Sequence, residues 1–394
     1  MMSVDEARAR MLADVKRLAS EQVSLEDLSA RTLAEPVRAS RDQPPFDAAI
    51  MDGYALRAAD TPGDLRIVGE AAAGHAFDRA MGGGEAVRIS TGAPLPAGAD
   101  AVLAQEDANV RERILTAPGL ELGAFVRPRG GDFRAGDVLL DDRRVIDAGA
   151  IVLLAGGGCA NARVTRKPVV SILANGDELV SPGASVRDDQ IFDSAAYAVA
   201  ALAQAWGAAA QRSAPVRDDE DAVRAVASEK LSRCDVLVLI GGASVGPHDH
   251  VRPAMRALGA DVLVEGVNVR PGRPTWFATF PGGACILGLP GNPASALVCA
   301  RLFLAPIIET MLTGAQARSS KTFTATLATP MPANGGREAY FRAVAQDNEA
   351  SPILEEDSSL MNVLARSNCL IPRPPHAPAA ARGERVACIG WTAS

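Results

Sequence analysis

Val236-Leu237-Val238-Leu239-Ile240 running into GGASVGPHD (residues 241–249) is the stretch on which the reading of the fold turns. Five consecutive apolar residues, four of them Val or Leu, predict a strand buried on both faces, the signature of a parallel sheet covered by helices. A second stretch repeats the pattern: Ile286-Leu287-Gly288-Leu289 enters PGNPAS (residues 290–295), with helix-like sequence behind it. A buried strand that breaks into glycines and then a helix offers backbone N–H groups and a helix N-terminus to an anion. The anion-binding positions would be Gly241, Gly242, Ser244 and Gly246 in the first turn, and Pro290, Gly291, Asn292 and Ser295 in the second. Such turns also occur merely because the chain has to reverse tightly there. Neither matches the P-loop nor the G-x-G-x-x-G dinucleotide pattern. Parallel sheets nevertheless put both loops on one carboxyl edge, so the pair says more than either alone.

Working outward, strand-like and helix-like segments alternate from Lys167-Pro168 to about Gly314: VVSILANGDEL, SAAYAVAALAQAWGA, AAQRSAPVRDD, EDAVRAVASEKLSR, CDVLVLIGGASVG, HVRPAMRALG and, last, the helix ASALVCARLFLAPIIETML. That alternation predicts a parallel or mostly parallel sheet with helices on both faces. From Leu65 to about Arg129 the text is short β-like pieces between Gly and Pro, and it returns to β-like pieces after about Gly314, with one short helix at residues 360–366. The N-terminal stretch predicts a helix from Val4 to Ala19 with Met11, Val15 and Leu18 on one side.

The chain has 394 residues, which implies two to four domains. No apolar run is read as long enough to span a bilayer, and the amphipathic N-terminus lacks the apolar core of a signal peptide, so a cytoplasmic protein is expected. The net charge of −7 argues against a nucleic-acid partner. Six cysteines, none in a C-x-x-C pair, read as small buried hydrophobes rather than a zinc site or a disulfide framework. Only four of the 40 basic residues are lysines, so an arginine at any one site reflects composition as readily as selection.

Acidic residues recur in turns: Asp52 in IMDGYA, Asp132 in RGGDF, Asp177-Glu178 in ANGDEL, Asp218-Asp219 in VRDDE and Asp249 in GPHDH. Glu178, Asp218 and Asp249 each follow a strand of the α/β region and are placed to converge on its carboxyl edge, where carboxylates suit Mg²⁺. An Asp in a turn also bonds its own backbone or caps a helix, the better reading for Asp219 and Asp177. Arg270 and Arg273 of NVRPGRP, Ser295 and Arg342 form a basic, hydroxyl-bearing set suited to a tetrahedral oxyanion.

PPFDAAIMDGYA, ISTGAPLPAGADAVLAQED, RPRGGDFRAGDVLL, SILANGDELVSPG, IFDSAAYAVAAL, IGGASVGPHDHV, RPGRP and LPGNPASA, in this order over residues 44–296, resemble the MoeA family of molybdopterin molybdenumtransferases, which includes the corresponding domain of gephyrin. The resemblance implies an α/β plus β multidomain fold. Its parts would be an N-terminal helix (1–20) packing on a three-layer α/β molybdopterin-binding domain (168–316), a connecting domain (21–45 and 133–167), a β-rich domain (46–132) and a C-terminal β-barrel-like domain (317–394). It also implies a homodimer, and a reaction in which adenylylated molybdopterin releases AMP as molybdate enters the dithiolene, with Mg²⁺ assisting. The molybdopterin adenylyltransferase and the recipient molybdoenzymes would be its partners.

Carried over residue by residue, the family's acids fall on Asp52, Asp132, Glu178, Asp218 and Asp249, with Glu178, Asp218 and Asp249 as Mg²⁺ ligands. Its TGAP threonine is Thr91, its PGNP-x-S serine is Ser295, and its late arginine and serine are Arg342 and Ser358. The chain departs from the family pattern at Ala48 and Ala49, Gly131, ANGDEL (residues 174–179, where the family has STGDEL), Ala195 and Arg273. Those departures keep two alternatives open, a non-catalytic molybdopterin carrier or scaffold and a diverged paralogue with a different metal preference.

Overall fold

Residues 236–240 form a strand buried on both faces at the centre of a six-stranded sheet. The computed structural model describes residues 1–242, 250–315, 322–355 and 357–392. Its contacts divide the chain into two compact units, residues 1–21 with 165–394, and residues 22–164.

In the first unit the sheet strands are β1 (Val169–Ala174), β2 (Ala209–Arg212), β3 (Val236–Ile240), β4 (Asp261–Val264), β5 (Trp276–Thr279) and β6 (Cys285–Leu289), in the order β2-β1-β3-β6-β5-β4. The first four in that order run parallel, and β5 runs antiparallel to both of its neighbours, β6 and β4. Side chains alternate between two cores. Val236, Val238 and Ile240 face one with α1 (Val4–Leu12), α2 (Ala195–Ala205) and the long helix Pro293–Thr313, while Leu237 and Leu239 face another with α3 (Glu220–Leu231) and α4 (Val251–Ala257). Helices on both faces of a mostly parallel sheet make the expected three layers.

Two expectations are corrected. The N-terminal helix ends at Leu12 rather than running to Ala19. The long helix leaves its last carbonyls without helical partners, and the segment after α1 supplies them: Leu18 N–H donates to Met311 O at 2.9 Å and Arg17 Nε to Leu312 O at 3.3 Å. Tertiary hydrogen bonds thus override helix periodicity. The second correction concerns apolar length. Pro293–Thr313 is 21 residues of helix, long and apolar enough to cross a membrane, but 83% of its most apolar window is buried inside this unit, so it reads as the core helix of the α/β layer. Its middle, Ala300–Leu304, is wound as a π-helix.

This unit also holds a two-stranded ribbon of Leu179–Val180 with Ile191–Phe192 and a sheet of strands Val269–Arg270, Glu338–Gln346, Glu349–Pro352, Phe323–Leu327, Arg385–Gly390 and Cys369–Arg373. Cys369–Arg373 pairs back onto Glu338–Gln346, closing the five later strands into a small barrel around Leu327, Phe341, Cys369, Ile371 and Cys388. The short helix Met361–Arg366 follows as expected.

The second unit holds a six-stranded sheet in which Gly53–Leu56 lies between Ala101–Ala104 and Glu85–Ile89. One face packs around Val87, Ile89 and Val102, the other around Leu56, Leu65 and Leu103. A separate core of Leu28, Leu33, Leu140, Ile146, Leu154 and Val164 forms around the helix Ala148–Gly156, which Asp147 caps through Ala150 N–H.

Candidate active site

The carboxyl ends of β1, β3 and β6 meet at a cleft of about 1010 Å³ in the first unit. The two glycine turns come together there. A Cβ added to Gly291 would stand 3.6 Å from Gly241 Cα, and one on Gly241 would reach 2.5 Å from Asn175 O. Gly241 and Gly242 both have positive φ, 94° and 57°, so the chain can fold this tightly only with glycine at these positions. Gly241 N–H donates to Leu289 O at 3.1 Å. That bond welds the two turns together and commits the N–H inward rather than to an anion. Gly242, Pro290, Gly291 and Asn292 line the cleft beside it.

Glu178 and Asp218 face the same cleft from the loops after β1 and β2. The two loops are tied: Asp218 N–H donates to Asp177 Oδ1 and Asn175 Nδ2 donates to Asp218 Oδ1, both at 3.2 Å. Asp177 is thus a brace between two loops, not a helix cap. Asp219 does cap α3, accepting Ala222 N–H at 2.8 Å. Asn175, only 4% exposed, was not singled out from the sequence, although it stands in the quoted ANGDEL motif; its buried Oδ1 has no hydrogen-bond partner among the described residues. Asp249, Ser244 and Gly246 lie outside the described residues.

Arg273 lines the cleft, but Arg270 does not. Arg270 belongs to the strand that joins the barrel sheet and lines a separate small cavity with Arg342 and Glu355, its guanidinium 5.6 Å from the Phe341 ring centroid. Arg342 is buried and donates to Glu355 O. Ser295 is buried in the first turn of the long helix and does not line the cleft. Ser358 reaches the second glycine turn: its Oγ accepts from Asn292 Nδ2 at 2.9 Å and its carbonyl from Ala294 N–H at 3.1 Å. The basic and hydroxyl set is therefore dispersed: Arg273 lines the cleft, Arg270 and Arg342 the small cavity, and Ser295 neither. Asp193 was also missed; it lines the cleft at 2% exposure, accepts Ala196 N–H at 3.1 Å to start α2, and its buried Oδ2 has no partner among the described residues.

Asp52, Thr91 and Asp132 belong to the second unit. Asp52 Oδ1 accepts both the Thr91 backbone N–H (2.6 Å) and the Thr91 hydroxyl (2.7 Å), and these bonds, in that order, hold its carboxyl below the usual carboxylate range. Asp132 follows a turn pinned by Gly130 N–H to Pro44 O and by its own N–H to Gln43 O, both 2.9 Å. Ala48 and Ala49 are buried in a short ribbon, paired with Arg127 and Val126. The depressed Asp52 value means that its contribution to stability is present above the unfolded pKa and is lost as pH falls through the folded one. Thr91→Ala is expected to move the Asp52 titration midpoint upward, and only part of the way because the backbone N–H remains. Carboxyl-carbon NMR titration reads this directly, and an unmoved midpoint would refute it.

Cys285, Cys299, Cys369 and Cys388 are buried as read, whereas Cys159 and Cys234 are half-buried. Burial pushes the Cys285 and Cys299 thiols up to about 12 and Cys234 up to about 11, so none of the three is a ready nucleophile.

The chain matches the MoeA N-terminal region (domain I and II) over residues 2–158, a probable molybdopterin binding domain over 171–310, and the MoeA C-terminal region (domain IV) over 324–391. A molybdopterin molybdenumtransferase of Bacillus subtilis is 34% identical over 94% of this chain and 90% of its own length. Another, of Nostoc, is 38% identical over 74% of this chain and 69% of its own. Two structures of the molybdopterin biosynthesis MoeA protein from Pyrococcus horikoshii superpose with TM-scores of 0.86 and 0.85 at 28% and 25% identity, covering 100% and 98% of this chain and 100% and 99% of theirs. With matches that span both units and a fold shared from end to end, the chain belongs to the MoeA family.

Proposed function

We propose that this chain is a molybdopterin molybdenumtransferase that takes adenylylated molybdopterin and molybdate, inserts the metal into the dithiolene and releases AMP. The observation that carries the reading is the cleft in which two glycine turns, Glu178, Asp218 and Arg273 converge. Its relatives' name supports the reaction. A glycine turn allows close approach of a phosphate to backbone, and Arg273 supplies positive charge for the anionic substrate.

Mg²⁺ fits these residues. Among the described residues no group of three or more His, Cys, Asp or Glu could hold a metal ion. Mg²⁺, however, asks for one or two carboxylates plus substrate phosphates, and Glu178 and Asp218 provide two, beside Asn175 Oδ1, which has no hydrogen-bond partner among the described residues. Glu178 and Asp218, with Asp249, would hold it, and when bound it would neutralise charge on the leaving phosphate. Asp177 and Asn175 hold Asp218 in place for that role. Arg270, Arg342, Ser295 and Ser358 are proposed for molybdate, Asp52 and Asp132 as catalytic acids, and Thr91 as a substrate-binding residue. We further propose a cytoplasmic homodimer, with the four-domain division at 1–20/168–316, 21–45/133–167, 46–132 and 317–394.

The deciding experiment is AMP release from adenylylated molybdopterin with Mg²⁺, with and without molybdate. Molybdate-stimulated release is expected. Tight binding with no release would overturn the transferase and leave a carrier.

A further inference from the structure

The polar groups of the cleft account for phosphate and charge, and they leave the flat part of a ligand without a surface to lie on. Four large apolar side chains that line the cleft are exposed: Met1 at 69%, Ile191 at 59%, Phe192 at 46% and Met361 at 57%. Of these Phe192 alone has a π face. It is half of a two-stranded parallel ribbon in which Leu179 pairs with Ile191 and Val180 with Phe192. The backbone on either side of the ring is fastened: Ile191 N–H donates to Glu178 O at 2.8 Å and Asp193 N–H to Val180 O at 2.9 Å. The residue after it, Asp193, is buried and starts α2. The backbone that carries Phe192 is thus fastened next to the acidic loop, while its side chain is 46% exposed.

We propose that Phe192 is the platform on which the cleft's ligand stacks a heteroaromatic ring, which sets the ring's position relative to the phosphate held near Glu178 and Asp218. This rests on the function proposed above, whose substrate carries two such rings, a pterin and an adenine. Ring stacking on an aromatic side chain tolerates either, because both present a π face.

The test uses the full chain and three probes: AMP, neopterin, and ribose 5-phosphate as the ringless counterpart. Phe192→Leu is expected to weaken at least one ring-bearing probe about ten-fold, about 1.4 kcal/mol, while Phe192→Tyr binds like wild type and ribose 5-phosphate is unaffected throughout. The probe that weakens tells adenine from pterin. The platform is overturned if both ring probes bind Phe192→Leu as tightly as wild type, if wild type binds neither, or if ribose 5-phosphate loses the same factor. It is also overturned if Phe192→Leu shifts the sedimentation coefficient of the wild-type protein, since the ring then belongs to an interface. Molybdate-dependent AMP release by wild type, measured in parallel, separates the two ideas: release without a stacking loss overturns only the platform, and no release overturns the function.

Discussion

Asp218→Asn is expected to lower molybdate-dependent AMP release on the order of 10²–10³-fold while leaving the melting temperature close to wild type. Asn keeps the shape of the side chain and can still accept from Asn175 Nδ2, now 3.2 Å away, and the main-chain bond from Asp218 N–H to Asp177 Oδ1 is untouched. What it removes is the negative charge at the cleft wall. If that charge serves Mg²⁺, raising the metal concentration should recover part of the rate, whereas a purely structural role would not respond to metal. Wild-type turnover in Asp218→Asn would remove this residue from the site. Asp218→Ala is the less informative variant, because it also strands the buried amide of Asn175.

The largest stability effect is expected at Gly53→Ala. Gly53 is buried in a strand flanked on both sides, opposite Ile89 and Ala104. An added Cβ would fall 1.9 Å from Leu103 O and 2.9 Å from Leu103 C, atoms of backbone that cannot swing away. The strands must separate, at a cost of about 3 kcal/mol, which for a unit of this size corresponds to a fall in Tm of roughly 6–12 °C. Asp52 precedes Gly53, so whatever separates the strands also displaces the carboxylate from Thr91. Gly156→Ala is the matched control, since nothing lies within 4 Å of its added Cβ. A Gly53→Ala protein that melts with wild type would show the sheet to be far more yielding than its geometry implies.

How far the site could be read in advance differs from residue to residue. The glycine turns and the loop of Glu178 were legible because each follows a buried strand, the loop of Asp218 because it follows an edge strand of the same sheet, and parallel strands deliver such loops to one edge. Asp219 was legible as a cap because capping is settled within three residues. Arg270 and Arg273 were read as one basic set from their closeness in sequence, but Val269–Arg270 pairs with Glu338 and Ala339 while Arg273 follows the turn into the cleft. Nothing local distinguishes the two. The bond between Asp52 and Thr91 spans 39 residues and the one between Asn175 and Asp218 spans 43, so both lay beyond any spacing argument.

By itself the sequence determined the alternation of strand and helix, the two glycine turns and the family motifs, because propensity, periodicity and turn chemistry act over a few neighbouring residues. Only the tertiary structure decided where the first helix stops, which arginine enters the cleft, that Gly241 N–H turns inward, and that the most apolar helix is a core element. Each of those outcomes depends on a partner far along the chain, such as Met311 for Leu18 or Leu289 for Gly241, and such a partner exists only once the sheet and its helices have packed.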